Sequence, residues 1–136
     1  MKSFNTLIKL KKLEIDNKKI ELSKLNQEKD QLHNKLQNLQ VELINQQKIA
    51  FLDPEILYSY SNYAKDNNDN QLKISGYIAD ISAKIELVNQ EIYEIYAELK
   101  KYEVMLDNKK KQLIYEESKR QDLVLDELIL QRFGKE

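Results

Sequence analysis

His33 is the only histidine in the chain, and imidazole is the side chain that most readily moves a proton near neutral pH. A base or a metal ligand needs partners, and none stand near it in the sequence. His33 falls beside an apolar seam on a helical pattern, where it reads as a surface residue. The 23 acidic residues are spread along the chain, mostly as Glu near Lys. That spacing serves solubility and i,i+4 pairing on a helix. A catalytic carboxylate needs a pocket that shifts its pKa, and a chain of this pattern builds none. Neither Gly76 nor Gly134 sits in a glycine cluster, so no phosphate-cradling loop exists. Cysteine is absent, which removes disulfides and thiolate metal sites. Lys109-Lys110-Lys111 lacks interleaved aromatics and reads as a solvated face. Catalytic residues, cofactors and metals are therefore expected to be none, and the chain is not expected to be an enzyme.

The aromatic residues carry more information. Tyr58, Tyr60 and Tyr63 crowd the middle of the chain, Tyr77 follows, and Tyr93 and Tyr96 lie off the later apolar seam. Ile44 and Phe51 form an off-seam apolar pair one heptad apart. Aromatics outside a seam are typical of protein contact surfaces. The competing reading is packing of a short central helix over its neighbours.

These residues are positioned by two long helical repeats. Charged residues make up 33% of the 136 residues, with two glycines and one proline. Such a chain buries a narrow seam and not a thick core. In the first arm, position a is Ile8, Ile15, Leu22, Lys29, Leu36, Leu43 and Ala50. Position d is Phe4, Lys11, Lys18, Leu25, Leu32, Leu39 and Gln46. In the second arm, a is Ile78, Ile85, Ile92, Leu99, Leu106, Leu113, Arg120 and Glu127, and d is Ile81, Val88, Ile95, Tyr102, Lys109, Glu116, Leu123 and Leu130. Alternating steps of three and four sustained this long define a coiled coil.

Between the arms, Asp53-Pro54-Glu55 reads as a helix N-terminus. A short helix is expected through Ile56, Leu57, Tyr60 and Ala64. The run Asp66-Asn67-Asn68-Asp69-Asn70 competes for its own backbone and is the expected turn. The expected fold is thus all-α, a long antiparallel two-helix coiled-coil hairpin with a short helix near the apex. Arm one covers about residues 3–52, the apex about 53–70 and arm two about 71–133, all in one domain. One antiparallel register sets Leu36 against Ile95, Leu39 against Ile92 and Leu43 against Val88; a slip of one heptad is the alternative.

Charge is uneven. Residues 1–24 hold seven lysines against three acids, +4, which leaves −5 for the remainder of a chain whose net charge is −1. The near-neutral total gives no pull toward nucleic acid or anionic lipid. No apolar run approaches a membrane span, and the opening lacks a signal-peptide core, so a cytoplasmic protein is expected. Toward the chain ends the seam takes in Lys11, Lys18, Glu116, Arg120 and Glu127, while apolar residues appear off it. Leu10, Leu13 and Ile20 do so in the first arm, and Leu125, Leu128, Ile129 and Phe133 in the second. With Phe4 to Ile20 beside Leu123 to Phe133, this open end carries more apolar surface than two helices bury. It reads as a contact site, or else as a frayed end where leucines only raise helix propensity.

The chain resembles the FliJ family of flagellar type III export and its counterparts in virulence secretion. The resemblance lies in Phe4-x-x-Leu7-Ile8-x-Leu10, in Gly76-Tyr77-Ile78-x-x-Ile81-x-x-x-Ile85, and in Leu125-Asp126-Glu127-Leu128-x-x-x-Arg132. It implies a stalk-like hairpin, similar to the central subunit of rotary ATPases, peripheral to the inner-membrane export apparatus. It implies an export ATPase hexamer and the cytoplasmic domain of an export gate membrane protein as partners, with export chaperones as further ones. The gate positions of the family fall on Tyr77 and Ile81 and on Ile44 and Phe51; Gln47 and Phe51 replace tyrosines common in relatives. The ATPase is expected at the open end, on Phe4, Leu10, Leu13, Ile20, Leu125, Leu128, Ile129 and Phe133. Two other readings stand beside this one: a structural or scaffolding coiled coil, and a prefoldin-like holdase.

Overall fold

The computed structural model describes residues 2–134. Two helices, α1 (Lys2–Leu52) and α2 (Pro54–Phe133), pack against each other as a helical hairpin, with no strand among the described residues. Their lengths are unequal, 51 and 80 residues.

A single residue, Asp53, connects the helices. Pro54 clashes with a helical conformation at the residue before it, so the chain leaves the helix there. Proline then starts α2 at a position whose N–H has no helical partner in any case. The Asp53 carboxylate accepts a bond from the Glu55 N–H at 3.0 Å, and its carbonyl accepts one from the Leu57 N–H at 3.2 Å. This is an N-cap, and the helix that it starts is the whole of α2.

The expected apex is therefore corrected. No separate short helix ends before residue 66, and residues 66–70 are not a turn. They lie inside α2. The reason is tertiary. The α2 repeat extends backward through Ile74, Gln71, Asn67, Ala64 and Tyr60, and all five are buried or half-buried. Packing of that stripe outweighs the weak helix propensity of Asp and Asn. Asn67 does not compete for its own backbone. Its amide donates across to the Leu39 carbonyl at 3.0 Å, and its oxygen accepts from Gln71 Nε2 at 2.6 Å.

The contacts divide the chain into two units. The first, residues 16–93, is the turn-side unit. Ala50, Asn67 and Val88 are its buried residues. Every α1 seam position from Lys18 to Leu43 is at least half covered, and Gln46 is exposed. The expected pairs Leu36–Ile95, Leu39–Ile92 and Leu43–Val88 do not describe the register, nor does the one-heptad slip. Leu39 meets Asn67 and shares a groove with Ile74, 25 and 18 residues before Ile92. Moving the turn from residues 66–70 to Asp53 slides the helices by that much. Glu91 pairs instead with Lys18.

The second unit comprises residues 1–15 and 94–136. Ile15, Leu99 and Leu106 are its core, flanked by half-covered Phe4, Leu7, Ile8, Ile95 and Tyr102. Lys11 Nζ meets Glu98 at 2.6 Å. After Leu106 every residue through Gly134 is exposed. Within this unit α2 outruns the start of α1 by residues 107–133, about 40 Å of bare helix at ~1.5 Å per residue.

Candidate partner-binding surfaces

The bare stretch of α2 is the most distinctive surface. Successive residues step about 100° round a helix. Leu123, Val124, Leu125, Leu128, Ile129, Leu130 and Phe133 therefore point to all sides, and each is at least 45% exposed. Large apolar residues on every side are normally the mark of a buried helix, and here Asp126, Glu127, Gln131 and Arg132 stand among them. Some of the polar residues before this stretch pair along their own helix. Lys111 pairs with Asp107 at 3.1 Å, Arg120 with Glu117 at 2.7 Å, and Gln112 donates to Glu116 at 3.3 Å. The Glu117 hydrogen bond also raises the Arg120 pKa.

The residues expected to meet at the open end do not meet. One heptad back from Lys11 and one forward from Glu98 brings Phe4 level with Met105. Leu125 lies 20 residues beyond, about 30 Å further at ~1.5 Å per residue. Phe4 itself is half covered by the hairpin, while Leu10 and Leu13 are exposed on α1. Ile20 is exposed but belongs to the turn-side unit. Only Leu125, Leu128, Ile129 and Phe133 form a continuous stretch.

The four gate positions also separate. Tyr77 and Ile81 share a groove of about 390 Å³ with Leu32 and Lys35 of α1. Ile81 is a half-covered seam residue and Tyr77 is exposed. Ile44 and Phe51 are exposed on α1, 9 and 16 residues past Lys35, about 13 and 24 Å along the helix. The physical reason is again the turn at Asp53, which puts Tyr77 six turns into α2 and not at its start.

Three surfaces were not evident in the sequence reading. Phe51, Leu52, Leu57 and Tyr58 are all exposed around the turn. A groove of about 430 Å³ lies between Leu39 and Glu42 of α1 and Ile74 and Tyr77 of α2. The third is the width of the bare stretch, where Leu113, Ile114 and Tyr115 join the terminal leucines. Reading Asp53-Pro54 as the turn would have exposed all three, because it makes α2 longer than α1. Of the central tyrosines, Tyr60 and Tyr63 stand 6.5 Å apart between centroids and are half covered, whereas Tyr58 is 89% exposed. Packing accounts for the first two and leaves Tyr58 outside.

Among the described residues no group of His, Cys, Asp or Glu is placed to hold a metal ion, and no helix is long and apolar enough to cross a membrane. No curated protein and no solved structure matches the chain. The family model described as flagellar FliJ protein matches residues 1–136, the full length, and the chain therefore belongs to the FliJ family.

Proposed function

We propose that this chain is the central stalk of a flagellar-type export machine, binding and stimulating the export ATPase hexamer and coupling it to the export gate. The family is that of a non-catalytic flagellar export component; the finer role rests on the bare end of α2. A shaft that enters a protein ring must be slender and must offer apolar side chains in every direction. Residues 123–133 are a single helix with seven large apolar residues exposed round its circumference, and that observation carries the reading. The turn-side unit, with Ile44, Phe51, Tyr77 and Ile81, is left for the gate. The protein would then work on the cytoplasmic face of the inner membrane without entering it.

The test compares two double variants in an ATPase assay with the matched hexamer. Leu125→Ser with Leu128→Ser should reduce stimulation about tenfold, since each removes an apolar anchor. Phe51→Ser with Tyr77→Ser should leave stimulation intact and weaken binding to the gate's cytoplasmic domain. The reverse pattern means that the hairpin is inserted the other way round. If the unmodified protein gives no stimulation, the scaffold reading replaces this one.

A further inference from the structure

The bare stretch of α2 retains the heptad seam of the hairpin beyond the point where α1 stops covering it. Leu99 and Leu106 are seam residues buried under α1. The next seam residues are Lys109, Leu113, Glu116, Arg120, Leu123, Glu127 and Leu130, all exposed. Four of these seven are charged, which is unusual for a seam unless a partner supplies the opposite charge.

We infer that the seam over residues 109–127 is built to receive a second copy of this chain, with the two α2 ends antiparallel about a twofold axis near Ser118. In an antiparallel coiled coil an a residue meets a d residue of the other helix. With the axis at that point, Leu113 meets Leu123 of the second copy, Glu116 meets Arg120, and Lys109 meets Glu127. Symmetry repeats each pair. Every apolar layer is then apolar on both sides, and every charged layer joins opposite charges.

No other simple arrangement does this. A slip of one heptad in one direction sets Lys109 against Arg120 and Leu113 against Glu116. A slip in the other sets Glu116 against Glu127. A parallel pair sets every seam charge against its own copy. Like charges brought together in this way are strongly unfavourable. Beside the seam, Glu117 and Lys119 each face their own copy near the axis on opposite flanks, and the ion pair of Glu117 with Arg120 within the chain offsets the first of these repulsions.

The geometry closes as well. Leu130 of the second copy comes level with Leu106, where the first turn of α1 already covers the seam. The space left by the short α1 therefore takes residues 107–129 of the second copy, and the last turn, from Leu130 onward, passes beside the start of α1. Two leucine layers between charged ones make a weak dimer, formed at high protein concentration and lost on dilution. It would cover part of the surface assigned above to the ATPase, and it stands whether or not the ATPase binds there.

The experiment is sedimentation equilibrium over a wide concentration range, with circular dichroism to confirm that the hairpin is intact. The unmodified chain should show a monomer–dimer equilibrium. Arg120→Glu and Glu116→Arg, made singly, should each weaken self-association about tenfold or more, because two layers become like-charged. Both sites lie outside the paired part of the hairpin, so helicity should not change. An equimolar mixture of the two variants should recover association as a heterodimer, since each then offers what the other lacks. A monomer at every concentration, or a dimer indifferent to both reversals, would overturn the inference. So would failure of the mixture to recover association.

Discussion

Leu106 and Leu113 are successive a residues on one helix, and they have different fates. Leu106 is 9% exposed, under the first turn of α1, whereas Leu113 is 42% exposed. Nothing in their types or their place in the repeat separates them. The difference lies in the length of the partner. α1 has 51 residues and α2 has 80, joined by one, so the shorter arm runs out first. A heptad repeat states which face of a helix pairs, not whether a partner is present in the same chain.

The largest expected effect tests that comparison directly. Leu99 is 7% exposed, and Leu99→Ala should destabilise the hairpin by about 2–4 kcal/mol through lost burial and a residual cavity. Leu123→Ala, made on the bare end, should change stability by less than about 0.5 kcal/mol in dilute solution. Urea unfolding followed by circular dichroism reads both. Equal losses would mean that the bare end is covered by this same chain.

The repeat itself was legible. Isoleucine and leucine at steps of three and four are a long-range signal that local exceptions do not erase, and the seam positions from Phe4 to Leu43, Ala50, and those from Ile78 to Leu106 are the covered ones. The turn was not legible in the same way, because two local signals competed. Asp53-Pro54-Glu55 and the Asp-Asn run at 66–70 both break a helix in isolation. Burial of Ala64, Asn67 and Ile74 on one stripe decides between them, and that is a tertiary effect. The site residues followed the turn: with the helices slid, Phe4 and Leu125 part, as do Phe51 and Tyr77.

Two substitutions of middle size probe the paired part. Asn67 is 4% exposed at a seam position and holds the Leu39 carbonyl. Polar residues at such positions fix register at the expense of stability. Asn67→Leu should therefore raise the urea midpoint, by the equivalent of about 1 kcal/mol. It should also broaden the range of registers seen by cross-linking between α1 and α2. A lower midpoint would show that the hydrogen bonds outweigh apolar burial. Gly76 lies mid-helix, with nothing within 4 Å of where a Cβ would stand. Gly76→Ala should stabilise by about 0.5–1 kcal/mol, the helix-propensity difference alone. A loss on the same measurement would reveal a contact at that position.

The smallest effect concerns the charged layers of the paired seam. Lys11 and Lys18 occupy d positions, yet their ammonium groups reach out to Glu98 and Glu91 on α2. The long stem covers the seam while the charge stays near water. Hydrogen bonds to those carboxylates raise both lysine pKa values above the ordinary 10.5. A raised pKa in the folded state means that the stabilisation is fully present below the unfolded value. It is then lost as pH rises through the folded one. The pairs should accordingly add the same stability throughout the neutral and mildly alkaline range and fade only above pH 10.5. Lys18→Met retains the stem and removes the charge. Its loss at neutral pH should be well below that of Leu99→Ala, because an ion pair still open to water contributes little and is screened by salt. Melting curves of the unmodified chain and Lys18→Met, measured from neutral pH to above 10.5, give the answer as a difference, which cancels every other titrating group. The gap should be constant at first and then close at the alkaline end. A gap that widened there would mean that the Lys18 charge opposes folding, and a Lys18→Met loss as large as that of Leu99→Ala would make the stem a core residue like the leucines beside it.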